Sequence, residues 1–300
     1  MQNNLIFYLE YCQFRKELSP KTLKAYRIDL KQYMDFVGAA YLEKKMNERF
    51  ITELHKKYKP KTIKRKIASI KAFFSYLEEE EIISNNPYHK INVKFKESAI
   101  LPKIIPREEI EMLLNFMYQH KVKEKEEKYL LRDIAVVELC FSTGARVSEI
   151  SNIRLEDINL TSGLIRFMGK GGKERCVQIV DPSVLDLLQR YYSKNKVKIE
   201  KSGYFLINKR GNRFTEQSIR IMIKKYSRKA GIRRNITPHM FRHSFATYLI
   251  EEGMDITCVQ KILGHSSIKT TQIYIHLAAE KQAEILQAFH PRKKMHISAA

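Results

Sequence analysis

Acidic residues are scarce in this 300-residue chain: 33 Asp and Glu stand against 55 Lys and Arg, a formal net charge of +22. A field of that sign attracts polyanions and speeds their encounter, which leaves nucleic acid and anionic membrane as candidate partners. Long apolar runs are missing as well. No segment approaches the roughly 20 apolar residues that a membrane span needs. The opening MQNNLIFYLEYCQF lacks a basic stretch followed by a long apolar one, so no signal peptide and no membrane partner are expected. Cysteines are few. Cys12, Cys140, Cys176 and Cys258 lie far apart, with no CxxC and no metal-ligand spacing. They read as reduced thiols of a cytoplasmic protein. There is no P-loop, no obvious carboxylate cluster for Mg²⁺, no internal repeat and no low-complexity tract, so neither cofactor nor metal is expected. Nucleic acid leads among the partners.

An apolar fraction of 44% in 300 residues is enough for two ordinary domains, each with its own core. The basic excess is spread along the chain, +8 over residues 1–100 and +14 over the remainder, as expected if both halves face one long anion. Ser19-Pro20-Lys21-Thr22 reads as a helix start, with Ser19 at the N-cap and Pro20 at the first helical position. Leu23, Tyr26, Leu30, Tyr33 and Phe36 then follow at steps of three and four, marking one buried face. A second helix is predicted from Pro60 through Ile63, Ile67, Ile70, Phe73, Phe74 and Leu77. Lys61, Lys64, Arg65, Lys66 and Lys71 fall outside that apolar set. No acid interrupts these cations until Glu78, so they are candidate phosphate contacts, with a solvated surface as the alternative.

Periodicity fails near residues 92–106, where Pro102 and Pro106 stand, and a linker is expected. Beyond it, helices are predicted near 107–120, 128–142, 183–196 and 215–230, with Gly144 closing the second. Leu164–Met168 and Cys176–Val180 flank Gly169-Lys170-Gly171-Gly172-Lys173 and read as a β-hairpin with lysine at its tip. The predicted fold is therefore mainly α with a small β-hairpin in the second domain. The expected boundaries are an N-terminal helical domain over 1–92, a linker over 93–106, a second domain over 107–292 and a tail over 293–300.

Several short segments carry chemistry. Thr237-Pro238 opens a helix on which His239 and Arg242, three residues apart, share a face in the first turn. Imidazole and guanidinium at a helix N-terminus suit a phosphate, whereas alone they could be an ordinary surface pair. Gly264 reads as the residue that ends a helix, with His265 presented just after it. Tyr274 follows on the next helix, where a lone tyrosine reads more readily as a core aromatic. Arg146 falls in a tight connection, with Glu149 three residues on to hold it; a structural ion pair is the alternative. Together these groups could perform phosphoryl transfer without a metal. Two guanidiniums neutralise the non-bridging oxygens, a lysine protonates the leaving oxygen, and a histidine handles the proton of a tyrosine nucleophile.

In order and spacing, five segments resemble the tyrosine recombinases of the phage integrase family, most closely the short Xer-type members. They are Thr143–Glu149, Gly169–Arg175, Pro238–Thr247, Leu263–His265 and Thr270–Tyr274. Leu18–Leu23 with Ala25–Leu30 resembles the core-binding domain of the same family. The likeness covers roughly residues 5–290, and Phe241, where leucine is usual, is a conservative departure. It implies a two-domain C-shaped clamp with the tyrosine recombinase catalytic fold. It implies that Arg146 and Arg242 bind the scissile phosphate and that Lys170 protonates the departing 5′ oxygen. His239 would act as acid and base at the tyrosine, His265 would bond to the phosphate, and Tyr274 would be the nucleophile. The implied reaction passes through a 3′-phosphotyrosyl link and a Holliday junction, without metal or ATP. The implied partner is double-stranded DNA carrying a specific recombination site, bound by a homo- or hetero-tetramer on two sites. A stripe of Ile285, Leu286 and Phe289 is expected on a final helix, docked on its own domain or on a neighbour. Two rivals remain at this point, a DNA-relaxing enzyme of the type IB topoisomerase kind and a non-catalytic DNA-binding regulator.

Overall fold

A computed structural model describes residues 2–91, 103–169 and 174–264. The chain divides into two compact units, Met1–Ile100 and Leu101–Ala300.

The first unit is helical: α1 (Gln2–Phe14), α2 (Pro20–Val37), α3 (Lys44–Lys57) and α4 (Pro60–Glu79). As expected from its sequence, α2 starts at Ser19, whose Oγ accepts from the Thr22 amide at 3.2 Å, with Pro20 in the first turn. Its apolar stripe packs on that of α4 around Leu30, Tyr33, Ile63, Phe73 and Phe74, all buried. Aromatic rings dominate this core. Tyr33 meets Phe50 and Phe74 edge-on, with centroids 5.3 and 5.9 Å apart, a favoured geometry for ring quadrupoles.

One polar group sits inside the α2–α4 seam. Asp29 is 1% exposed and accepts bonds from Lys66 Nζ at 2.9 Å, from Ser69 Oγ at 2.9 Å and from the Arg65 guanidinium. Lys66, itself 4% exposed, also bonds to Gln32 Oε1 at 2.6 Å and lies 5.0 Å from the centroid of the Tyr58 ring. A buried charge needs such partners, because desolvating it alone would cost far more than the fold could bear.

The second unit contains α5 (Arg107–Gln119), α6 (Glu124–Thr143), α7 (Val147–Ser151), β1 (Leu164–Met168) and β2 (Glu174–Gln178). It continues through α8 (Pro182–Ser202), α9 (Glu216–Lys229), α10 (Pro238–Glu251) and α11 (Ile256–Leu263). Helix α6 is buried along most of its length and packs against α8 and α10. It begins four residues earlier than the sequence pattern suggests, because Glu124, Glu126 and Glu127 complement the positive end of its dipole. It ends where expected, at Gly144, whose backbone is left-handed (φ 58°, ψ 17°). Ile105, within the stretch read as linker, is fully buried and donates its amide to Ser244 Oγ at 2.7 Å, so the chain is already packed on the second unit there.

The two strands form an antiparallel pair running from Leu164 opposite Gln178 to Met168 opposite Glu174. Strand β2 begins two residues before the apolar run that marked it in the sequence, since Glu174 and Arg175 pair with Met168 and Phe167. Ile165, Phe167 and Val177 face the core, and β2 lies against α11. Among the described residues, no helix is long and apolar enough to cross a membrane.

Candidate phosphate-binding site

The site is built around the end of α11. This short helix closes at Gly264 with left-handed backbone (φ 65°, ψ 46°), as its sequence predicted. Three guanidiniums from distant stretches of chain converge on its last carbonyls. Arg175 Nε donates to Ile262 O at 2.8 Å, Arg242 Nη2 to Leu263 O at 2.7 Å, and Arg146 Nη2 to Gly264 O at 3.4 Å. Unpaired carbonyls at a helix C-terminus carry partial negative charge, so cations are held there favourably.

Local structure aims each arginine. Arg146 occupies the N-cap of α7, two residues after the turn at Gly144. Glu149 fixes it twice: Oε2 accepts from the Arg146 amide at 2.7 Å and Oε1 from Arg146 Nη1 at 2.8 Å. Arg242 is 6% exposed near the start of α10 and donates from Nη1 to Gly144 O at 2.7 Å. A Cβ on Gly144 would lie 2.4 Å from Phe245 Cδ1, so glycine at this turn is set by packing as well as by dihedral angle. Thr237 stands at the N-cap of α10 with extended backbone, as anticipated, but its hydroxyl makes no capping bond.

His239 lies one turn before Arg242. Its edge is exposed, yet partial desolvation, then Arg220, Arg242 and Arg146 in that order, hold its pKa below the ordinary 6.5. The imidazole is therefore neutral near pH 7, as a proton acceptor must be. His243, half-buried on the same helix, is lowered for the same reasons, by burial first and then by His239 and Arg242. Burial works to raise the Glu149 carboxyl; the bonds from Arg175 and Arg146 outweigh it and leave it below its usual value.

The structure thus brings Arg146, Arg242 and His239 into one cationic site. Lys170, His265 and Tyr274 lie outside the described residues. Two participants had not been anticipated. Arg175 closes the glycine-rich hairpin motif and could have been suspected from that position. Arg220, ion-paired to Glu216 at 2.9 Å on α9, carries no local signal, because its nearness to His239 comes from tertiary packing.

The basic cluster on α4 divides. Lys61, Lys64 and Arg65 are exposed. Lys66 is withdrawn into the Asp29 network and offers no ammonium to solvent. Lys71 is partly covered and bonds to Ile91 O at 3.2 Å.

Comparison with known proteins gives the family of the chain. Residues 103–281 match the phage integrase family, and residues 5–81 match its N-terminal SAM-like domain. A tyrosine recombinase of Agathobacter rectalis is 46% identical over 302 residues, covering 99% of both chains. Tyrosine recombinase XerC of Thermodesulfovibrio yellowstonii is 35% identical, covering 96% of each. Among solved structures, the XerH site-specific recombinase bound to palindromic difH substrate, a post-cleavage complex, superposes with a TM-score of 0.75. It is 23% identical, and the match covers 93% of this chain and 84% of that one.

Proposed function

This chain belongs to the phage integrase family and is a site-specific tyrosine recombinase, and from that premise we propose the residues and steps by which it acts on DNA. Arg146 and Arg242 bind the scissile phosphate and neutralise charge as it builds on the non-bridging oxygens, usually the largest single contribution to such catalysis. Tyr274 Oη attacks phosphorus, forming a 3′-phosphotyrosyl ester as the bond to the 5′ oxygen breaks. His239 takes the tyrosine proton, and Lys170 delivers a proton to the departing 5′ oxygen, while His265 bonds to the phosphate. The ester conserves the bond energy, so a 5′ hydroxyl from a second duplex reverses the step without a nucleotide cofactor. Repeating this exchange on the other strand pair resolves a Holliday junction, in a tetramer spanning two DNA sites.

The observation that carries this reading is the convergence of Arg146 and Arg242 on adjacent carbonyls, Gly264 O and Leu263 O, with a neutral His239 in their field. The N-terminal unit supplies a second grip on the duplex through Lys61, Lys64 and Arg65, whose phosphate contacts would release counterions. Trapping on a nicked suicide duplex tests the chemistry. Tyr274→Phe is expected to bind the site and form no covalent adduct on a denaturing gel. An undiminished adduct would remove Tyr274 from the mechanism.

A further inference from the structure

Arg175 has an environment that a strand arginine at a surface hairpin would not need. Its side chain is only 10% exposed. The guanidinium covers the ring of the core residue Phe167 at 4.9 Å from the centroid, and Phe167 is its partner across the strand pair. Its three nitrogens are used on two different targets. Nη1 and Nη2 donate to Glu149 Oε1 and Oε2 at 2.9 and 2.7 Å, a fork on one carboxylate, while Nε donates to Ile262 O at 2.8 Å. A Cβ on Gly264 would lie 3.0 Å from Arg175 Cδ, so the turn after α11 rests against the stem of the same side chain.

Glu149 is therefore shared. Each of its oxygens accepts one bond from Arg175 and one from Arg146, the latter through the backbone amide and the guanidinium. Among the described residues, the buried carboxylate without Arg175 keeps two donors, both from the residue it is meant to orient. Such a carboxylate is free to turn and to carry Arg146 with it. Lysine could not replace the arrangement, since a point ammonium lacks both the fork and the third, divergent donor.

We propose that Arg175 is a positioning residue for strand cleavage: anchored on Ile262 O, it fixes through Glu149 the direction of the Arg146 guanidinium. The inference rests on the phosphate-binding role proposed for Arg146. Its consequence is specific to charge. A guanidinium that is present but misaimed fails to neutralise the scissile phosphate, and little else in the reaction suffers.

The test uses the full chain in single-turnover cleavage of two nicked duplexes, one with an ordinary scissile phosphodiester and one with a neutral methylphosphonate there. Arg146→Ala is the reference. It is expected to slow the phosphodiester strongly and the methylphosphonate much less. Arg175→Gln is expected to slow the phosphodiester by about tenfold or more and the methylphosphonate by less than about threefold. Arg175→Lys, which keeps the charge and most of the volume, should show the same selectivity in milder form and serves if the glutamine variant does not fold. In an Arg146→Ala background, Arg175→Gln should add little, because both changes act through one group. Equal slowing of both duplexes by the Arg175 variants, or full additivity with Arg146→Ala, overturns the inference while the role of Arg146 stands. If Arg146→Ala itself slows both duplexes equally, the phosphate-binding role of Arg146 falls, and the inference falls with it.

Discussion

Replacing Asp29 by alanine leaves a lysine without its counter-charge inside the first helical unit. Lys66 is 4% exposed, and its remaining partners would be the neutral Gln32 amide oxygen at 2.6 Å and the Tyr58 ring at 5.0 Å. Breaking a buried ion pair by deleting one member costs about 3–5 kcal/mol. The two surviving contacts place the expected cost near the lower end, about 3 kcal/mol, or roughly a hundredfold in the opening equilibrium. Ser69 adds little, since its hydroxyl can donate instead to Arg65 O, 2.9 Å away, and Arg65 can turn to solvent. Amide hydrogen exchange reads the effect where it arises, in α2 and α4, without requiring the whole chain to unfold in one step. The paired replacement Asp29→Leu with Lys66→Met removes both charges at similar volume and should restore most of the lost protection. The reasoning is refuted if exchange in those helices rises less than tenfold in Asp29→Ala, or if the paired variant is no better protected than the single one.

Three further outcomes are expected. Gly144→Ala should lower the melting temperature and slow single-turnover cleavage at least tenfold. The left-handed backbone (φ 58°) penalises a side chain by about 1–2 kcal/mol, and the new Cβ would push on Phe245 beside the carbonyl that holds Arg242; wild-type cleavage would contradict this. The folded state holds the His239 pKa below 6.5, so the unfolded chain binds its proton first. Its contribution to stability is then complete above pH 6.5 and is lost as pH falls below it, and covalent adduct formation should likewise decline only below that value. A His239→Gln variant whose pH profile matches the parent's would refute the assignment. DNA affinity should fall steeply with salt; Lys61→Ala and Lys64→Ala should each reduce the slope by about 1, and Lys66→Met should leave it unchanged. Equal effects from all three would show that burial of Lys66 is irrelevant to binding.

What was legible in the sequence was local. Ser19 as a cap, Gly144 and Gly264 as left-handed ends, the apolar stripes of α2 and α4, and the two paired strands that flank residues 169–173 each rest on neighbours within a few positions. The spacing of Arg146 and Glu149 likewise contained their ion pair, at 2.8 Å. What escaped depended on partners from elsewhere. Lys66 sits in a run free of acids, so it looked like part of a phosphate-facing cluster; its acid comes from α2. Arg175 fell before the strand expected from Cys176, at the end of the glycine-rich segment, and its burial follows from a glutamate on α7 and a carbonyl on α11. The early start of β2 was hidden for the same reason, since Glu174 and Arg175 interrupt the apolar pattern while pairing normally with β1.

The end of α11 has a consequence for how the enzyme meets its substrate. Three like charges drawn to one point repel, and in an empty pocket they would splay toward water. Here the carbonyls of Ile262, Leu263 and Gly264 each hold one guanidinium and so offset that repulsion. The guanidiniums are thus gathered in advance. A phosphodiester bound at Arg146 and Arg242, as proposed, would meet cations that the fold already holds side by side.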